Sequence, residues 1–481
     1  MEQPQQDTAA VNEQGAHHHH HHHAFDDVLN TELVDATDAA ITRAEAQAQA
    51  DFDSQGFPTP GGLSKSDTLS EYPLLDSGLG ARLRCHAKIL RKREFSKVTN
   101  VELFFDLVFV FAISSISETM EHHLTVGVIL QMLLVTLAVW WAWVFSAWVF
   151  NWFNPDSYLV RLLLLALMLA NLVLSAVISR SFEDQSLLFA GMYVLIQVGR
   201  NLAAFLALHG HKLQRNFTRI LSWFLVTAVL WLVGGALGGT TRNILWGVAI
   251  VLEYISAAAG FYVPGLGKSV TTDWDIRGGH LAERCSLFII IALGESIVVT
   301  GKSFQPMLQE REPVGVGMFI IAFVGAASMW WIYFHTASTE ATEYVETTAD
   351  PGKMGRIGYT YIHAVMVIGI VWCAVADRIG ITEPYHVPHH LEGGMERVAI
   401  MIGGPSLFVL GHALFRRTFC SITPRAHLTA IAAILCATPI GIYLPIWATV
   451  LTTTTILFLL AVYESFFRCY ILGQNHQEVL V

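Results

Sequence analysis

The sequence predicts an all-α integral membrane protein with about twelve transmembrane helices. Three observations carry that expectation. Hydrophobic residues make up 53% of the 481 residues and charged residues only 14%, against roughly 25% charged in a soluble domain. Twelve apolar runs approach the ~20 residues needed to cross ~30 Å of hydrocarbon. Lysines and arginines fall unevenly between alternate loops, 19 on one side and 6 on the other, the asymmetry that orients polytopic proteins.

Residues 1–81 contain fourteen acids and two bases, Arg43 and Lys65, so the chain's net charge of −10 belongs to this segment. Its polar Gln, Ala, Asp and Ser content is that of a disordered tail, too poor in apolar surface to offset the entropy of ordering. It holds no apolar run long enough for a signal peptide. Seven consecutive histidines, His17 to His23, are either a natural low-complexity tract or a purification tag. Their place inside the chain, without a protease scar, favours the former, and they carry no functional weight.

From Arg82 to Lys97 the sign reverses, with seven Lys or Arg against Glu94 alone. This basic juxtamembrane segment, 82–97, precedes the first apolar run. The runs are 101–120, 124–146, 159–179, 187–208, 219–237, 243–263, 280–301, 314–335, 357–376, 396–415, 426–443 and 446–466. The basic bias then places both termini in the cytoplasm, the short tail 469–481 included, with the chain in the plasma membrane. Six cysteines are scattered along the chain with no pair in an outward loop, so free thiols are expected.

Twelve spans divide into two halves, 98–270 and 271–468, and landmarks recur between them. Glu102 matches Glu283, and Ser115-Ile116 matches Ser296-Ile297, at one offset of 181. Trp140-Trp141-Ala142-Trp143 matches Trp330-Trp331-Ile332-Tyr333, Gly199-Arg200 matches Gly411-His412, and Leu252-Glu253-Tyr254 matches Tyr463-Glu464-Ser465. With six spans each, the halves would be parallel repeats related by an axis along the membrane normal. In that alignment Asp106 corresponds to Leu287, and Glu295 to Ser114.

Ionisable residues at membrane depth cost about 2.5–3.5 kcal/mol each on insertion scales, so those that persist are candidate functional groups. On the seventh span His280, Glu283 and Arg284 share a face, and Glu295 returns near Arg284's face about 16 Å along the axis. On the first span Glu102 and Asp106 are four residues apart and share a face. Asp106, flanked by phenylalanines, needs a cation, with Arg284 and Arg200 as the candidates. Glu295 follows Gly294, which is expected to admit a neighbouring backbone, and no base lies within a turn of it. Glu253, in the middle of the sixth span, raises the same question. Each also has a plainer reading as a packing contact between helices. His363, His412, Asp377 and Glu464 are weaker candidates. The tryptophans of 140–152 and 330–331 read first as interfacial anchors. Loop histidines at 122–123 and 386–390 lack the companions of a metal site, and no metal or cofactor is expected. No phosphate loop, nucleophile elbow or nucleic-acid module is present, so neither an enzyme nor a nucleic-acid partner is expected.

VTNVELFFDLVFVFAI at the first span and GHLAERCSLFIIIALGESIVVTG at the seventh resemble the hallmark stretches of the low temperature requirement A (LtrA) family of polytopic membrane proteins. Glu102, Phe104, Phe105, Asp106, His280, Glu283, Arg284, Gly294, Glu295 and Ser296 carry the resemblance, which covers roughly residues 95–470. The family's name records a cold-growth phenotype and not a chemistry, so the likeness implies architecture and key positions only. On this reading Asp106, Arg200, Glu253, His280, Glu283, Arg284 and Glu295 line a substrate, ion or proton pathway, with Glu102, Phe105, Gly294 and Ser296 as helix contacts. The expected function is secondary, proton- or ion-coupled transport of a small solute. An ion channel, or a non-transporting sensor or structural protein linked to cold, stands as the alternative.

Overall fold

A computed structural model describes residues 90, 97–271, 274, 276–310, 313–420 and 424–478. The expected tail and most of the basic segment lie outside these residues. The described chain is helical throughout: α1 Asn100–His122, α2 Val126–Trp152, α3 Tyr158–Ala176, α4 Ser186–Ala207, α5 Gln214–Leu237, α6 Gly239–Ala258, α7 Gly278–Glu310, α8 Pro313–Thr347, α9 Pro351–Thr382, α10 Gly394–Phe419, α11 Arg425–Tyr443 and α12 Ile446–Glu478. Each expected apolar run falls on one of them. Eleven are long and apolar enough to cross a membrane, and the chain is an integral membrane protein. The helix outside that set is α6, whose first turn, GTTRN, is polar.

Local sequence starts these helices. Glu102, at the third position of α1, reaches back to accept from the Thr99 backbone N–H at 2.9 Å, one half of a capping box. Thr125 caps α2 by accepting from Val128 N at 3.3 Å. Asp350 caps α9 by accepting from Lys353 N at 2.9 Å, followed by Pro351 at the first helical position, where a missing N–H costs nothing.

Two helices outrun their hydropathy. Helix α8 was expected to end near residue 335 but continues to Thr347 through a π-helical turn, Tyr333–Ala337. Helix α9 begins at Pro351, with a π-helical stretch, Gly355–Ile362, before its apolar body. The π geometry redirects backbone carbonyls from the helix ladder toward neighbouring side chains. Trp140 Nε1 donates to Thr360 O at 2.8 Å, and Trp148 Nε1 donates to Thr360 Oγ1 at 2.9 Å.

The packing order is as follows. Helix α1 packs on α2 and α3, α3 on α4, α4 on α5, α5 on α6, and α2 touches both α4 and α6. In the second half α7 packs on α8 and α9, α9 on α10, α10 on α11, α11 on α12, and α8 touches both α10 and α12. The halves meet where α1 lies against α7 and α9, and where α2 lies against α7 and α9. Helices α9 and α10 approach backbone to backbone: a Cβ at Gly404 would stand 2.8 Å from Cys373 N, and one at Gly369 would strike Phe408 N.

Two expectations fail here. The α2 tryptophans are core residues and not interfacial anchors: Trp140, Trp141 and Trp143 are buried, while Trp330 and Trp331 on α8 are exposed. The cause is position, because α2 is enclosed by α1, α4, α6, α7 and α9, and its rings stack inward, Trp140 and Trp143 against Phe288. Gly294 is not the point of close approach, since no atom lies within 4 Å of where its Cβ would be. The tight contact at that level is made by the side chain of the next residue, Glu295, described below.

Candidate functional site

The α1–α7 seam carries two sets of ionisable groups. At the N-terminal ends of both helices, Glu102, Asp106, His280 and Arg284 are all fully buried. Arg284 donates through Nη2 to Asp106 Oδ1 in a direct ion pair, and its Nη1 lies 3.9 Å from Glu102 Oε1. Of the two candidate cations for Asp106, the structure brings Arg284. Trp143 of α2 donates to the same Asp106 oxygen at 2.8 Å. The guanidinium also lies 5.8 Å from the centre of the Phe105 ring and 5.7 Å from that of Trp143, within cation–π range.

His280 joins by its other end. Its Nε2 is 2.9 Å from Glu102 Oε1, and its Nδ1 is 3.2 Å from Asn151 Nδ2. Asn151 Oδ1 accepts from Arg277 N at 2.9 Å, which fixes the amide with its nitrogen toward the imidazole. Asn151 therefore donates to Nδ1, and His280 is the Nε2–H tautomer donating to Glu102. Asp106 Oδ2 and Arg284 Nε have no hydrogen-bond partner among the described residues. Glu283 stands apart from this cluster: it is exposed and accepts from Val98 N at 3.0 Å.

Further along the seam Glu295 is buried and accepts a short hydrogen bond from Ser114 Oγ of α1. Its direct partner is a hydroxyl and not a cation. Ser114 is the residue that the sequence alignment of the halves sets opposite Glu295. Ser296, beside it, is buried with its Oγ unpartnered among the described residues.

Arg200 and Glu253 form a separate network inside the first half. Tyr193 Oη donates to Glu253 Oε2 at 2.6 Å, and Trp231 Nε1 donates to Oε1 at 3.0 Å. Gln197 Nε2 donates to Tyr193 Oη at 3.0 Å while its carbonyl accepts from Arg200 Nη2. Arg200 Nη1 also reaches Ser146 Oγ at 3.0 Å and Ala142 O at 3.1 Å. Arg200 and Glu253 thus communicate through two neutral side chains, and neither reaches Asp106. Another buried network joins α10 to α11 and α12, where Arg416 of α10 pairs with Glu464 of α12, and His412 Nδ1 lies 2.7 Å from His427 Nε2 of α11.

Sequence reasoning missed Trp143, Asn151, Tyr193, Gln197 and Ser114 as partners. Only Ser114 had a signal, its alignment with Glu295. Among the described residues no group of three or more His, Cys, Asp or Glu could hold a metal ion. Cys285, Cys373, Cys420 and Cys436 are free thiols.

A bundle of about a dozen helices with ionisable side chains sealed into one inter-helix seam defines a polytopic membrane protein of the helical class. The model of the bacterial low temperature requirement A protein (LtrA) matches residues 97–462, and the chain belongs to that family. It is also 33% identical over 390 residues to an uncharacterized protein of Rhizobium meliloti, a match covering 80% of this chain and 93% of that one. No solved structure matches.

Proposed function

We propose that this LtrA-family protein is a secondary transporter of a small solute, coupled to a proton or another ion, and not an enzyme. The observation that carries the reading is Glu295: an acid buried between α1 and α7, held by a hydroxyl that serves its protonated and ionised forms alike. A coupling acid must change partners as a bundle rocks, and a hydroxyl can swap from donor to acceptor where an arginine cannot. Two parallel repeats supply the bundle in this reading. Their support is the shared packing order of α1–α6 and α7–α12, together with Ser114 meeting Glu295. Residues related by an axis between α1 and α7 come into contact only near that axis. With the basic loops on the inner side, both termini face the cytoplasm and the membrane is the plasma membrane.

The test is proton flux in proteoliposomes carrying a trapped pH-sensitive dye, under an imposed pH gradient, with pooled organic acids, amines and sugars added outside. The reading expects saturable, solute-dependent flux that Glu295→Gln removes. Discrete single-channel current steps from the same protein would identify a pore in place of a carrier.

A second reading has one observation in its favour. The cluster of Glu102, Asp106, His280 and Arg284 is sealed and ion-paired, the arrangement of a packing device in a non-transporting sensor or structural protein. In that case Glu295→Gln leaves every flux unchanged, and only stability responds to mutation of the seam.

A further inference from the structure

Another buried acid lies away from the α1–α7 seam, and unlike Glu253 and Glu464 it has no side-chain partner among the described residues. Asp377 of α9 is 6% exposed, and none of the hydrogen bonds or ion pairs of the described residues involves it. It lines a partly open cavity of about 20 Å³ between α8, α9, α10 and α12. One water, or one ion of similar size, needs roughly 10–15 Å³ by the same measure. The site is about 8 Å from the end of α9, at ~1.5 Å of rise per residue.

The rest of the lining is chemically specific. Thr453 and Thr454, which carry hydroxyls, line it from α12, and Met401 and Pro405 line it from α10. Pro405 lies inside α10 and has no N–H, so the Met401 carbonyl receives no helical bond from the residue four positions on. Thr453 Oγ1 donates to backbone carbonyls at 3.1 Å, which leaves its lone pairs open. The charged neighbour in sequence, Arg378, is engaged by Glu121 of α1. Cys373, on α9 itself, is the other titratable residue in the lining, and α8, α10 and α12 contribute none.

An ionised carboxylate in such surroundings needs a counter-charge, because an unpaired buried ion costs several kcal/mol even after relaxation. One carboxylate matches one positive charge. Hydroxyl and carbonyl oxygens are ligands for hard cations, and a carbonyl released by a break in a membrane helix is a recurring sodium ligand. We propose that Asp377, Thr453, Thr454 and the Met401 carbonyl form a sodium site in the second half, occupied in competition with a proton on Asp377. The proposal concerns binding and stands whether or not the protein transports a solute.

The experiment uses the full chain in detergent or nanodiscs. Thermal stability is followed in sodium chloride against choline chloride at equal ionic strength, with radioactive sodium binding measured in parallel. The site predicts a saturable rise in Tm with sodium and about one bound sodium per chain, both weakening as pH falls and protons compete. Asp377→Asn should keep its Tm in choline and lose the sodium response. Should Asp377→Asn not fold, Thr454→Val removes a single oxygen, and loss of one charge-assisted contact of about 1.5 kcal/mol corresponds to roughly tenfold weaker sodium binding. Absence of sodium binding to the wild-type chain, or undiminished binding by Asp377→Asn or Thr454→Val, overturns the proposal.

Discussion

Two acids on one helix seam meet opposite surroundings. Asp106 is bonded to a guanidinium and an indole N–H, with a second carboxylate and an imidazole completing the cluster. Glu295, eleven residues beyond Arg284 on α7, has a serine hydroxyl. The seam is the same and so is the burial, so the difference lies in how firmly each charge state is held. The Asp106 end fixes α1 to α7, because losing either Arg284 or Asp106 breaks the direct ion pair across the seam. The Glu295 level can change its protonation while keeping its partner. A carrier needs both, a fixed contact to pivot on and an acid free to switch.

The comparison can be broken at several points. The largest effect is expected from Arg284→Gln, which leaves Asp106 and Glu102 without their shared cation. Removing one partner of a buried pair costs about 3–5 kcal/mol, read as a large fall in Tm in detergent. An unchanged Tm would remove the anchor from the account. Next, Asp106→Asn combined with Arg284→Gln should be no less stable than Arg284→Gln alone, since the second change removes one of the two stranded carboxylates; additive losses would mean the two do not act as a pair. Trp143→Phe keeps a ring beside the guanidinium but deletes the N–H donated to Asp106, an expected loss of about 1.5–3 kcal/mol for the hydrogen bond, to which the smaller ring adds a packing cost. The smallest effect belongs to the other acid. Ser114→Ala should cost about 0.6 kcal/mol, the average for hydrogen bonds between membrane helices. A loss at Ser114 as large as that at Arg284 would erase the distinction between the two levels.

Much of the fold was legible because hydropathy and the ~20-residue span length are strong constraints. The misjudged ends have a common cause. Beyond Ile332 the sequence turns polar, STEATEYVET, and hydropathy ends there, but the helix continues because Val345 packs against the start of α7 at Gly278. In the site, Asp106 and Arg284 were legible as an acid and a base on two helices that each showed a polar face. The choice between Arg284 and Arg200 was not, because it depends on which helices adjoin α1. Trp143 and Asn151 escaped for a related reason. Tryptophan near a span end carries the same sequence signal whether it faces headgroups or the core, and only the central place of α2 decides. Asp377 was legible only as a weaker candidate, an acid just past the end of an apolar run, and the threonines and methionine that line its cavity come from two other helices. Nothing in the local sequence joins them.

The central claim is that Glu295 changes protonation within the α1–α7 seam while Asp106 does not take part. Infrared difference spectra of the reconstituted protein, recorded across a pH titration, report carboxyl groups that gain or lose a proton. The account expects a carboxyl band that titrates in the wild type and is absent from Glu295→Gln. Superimposable spectra from the two proteins would contradict it.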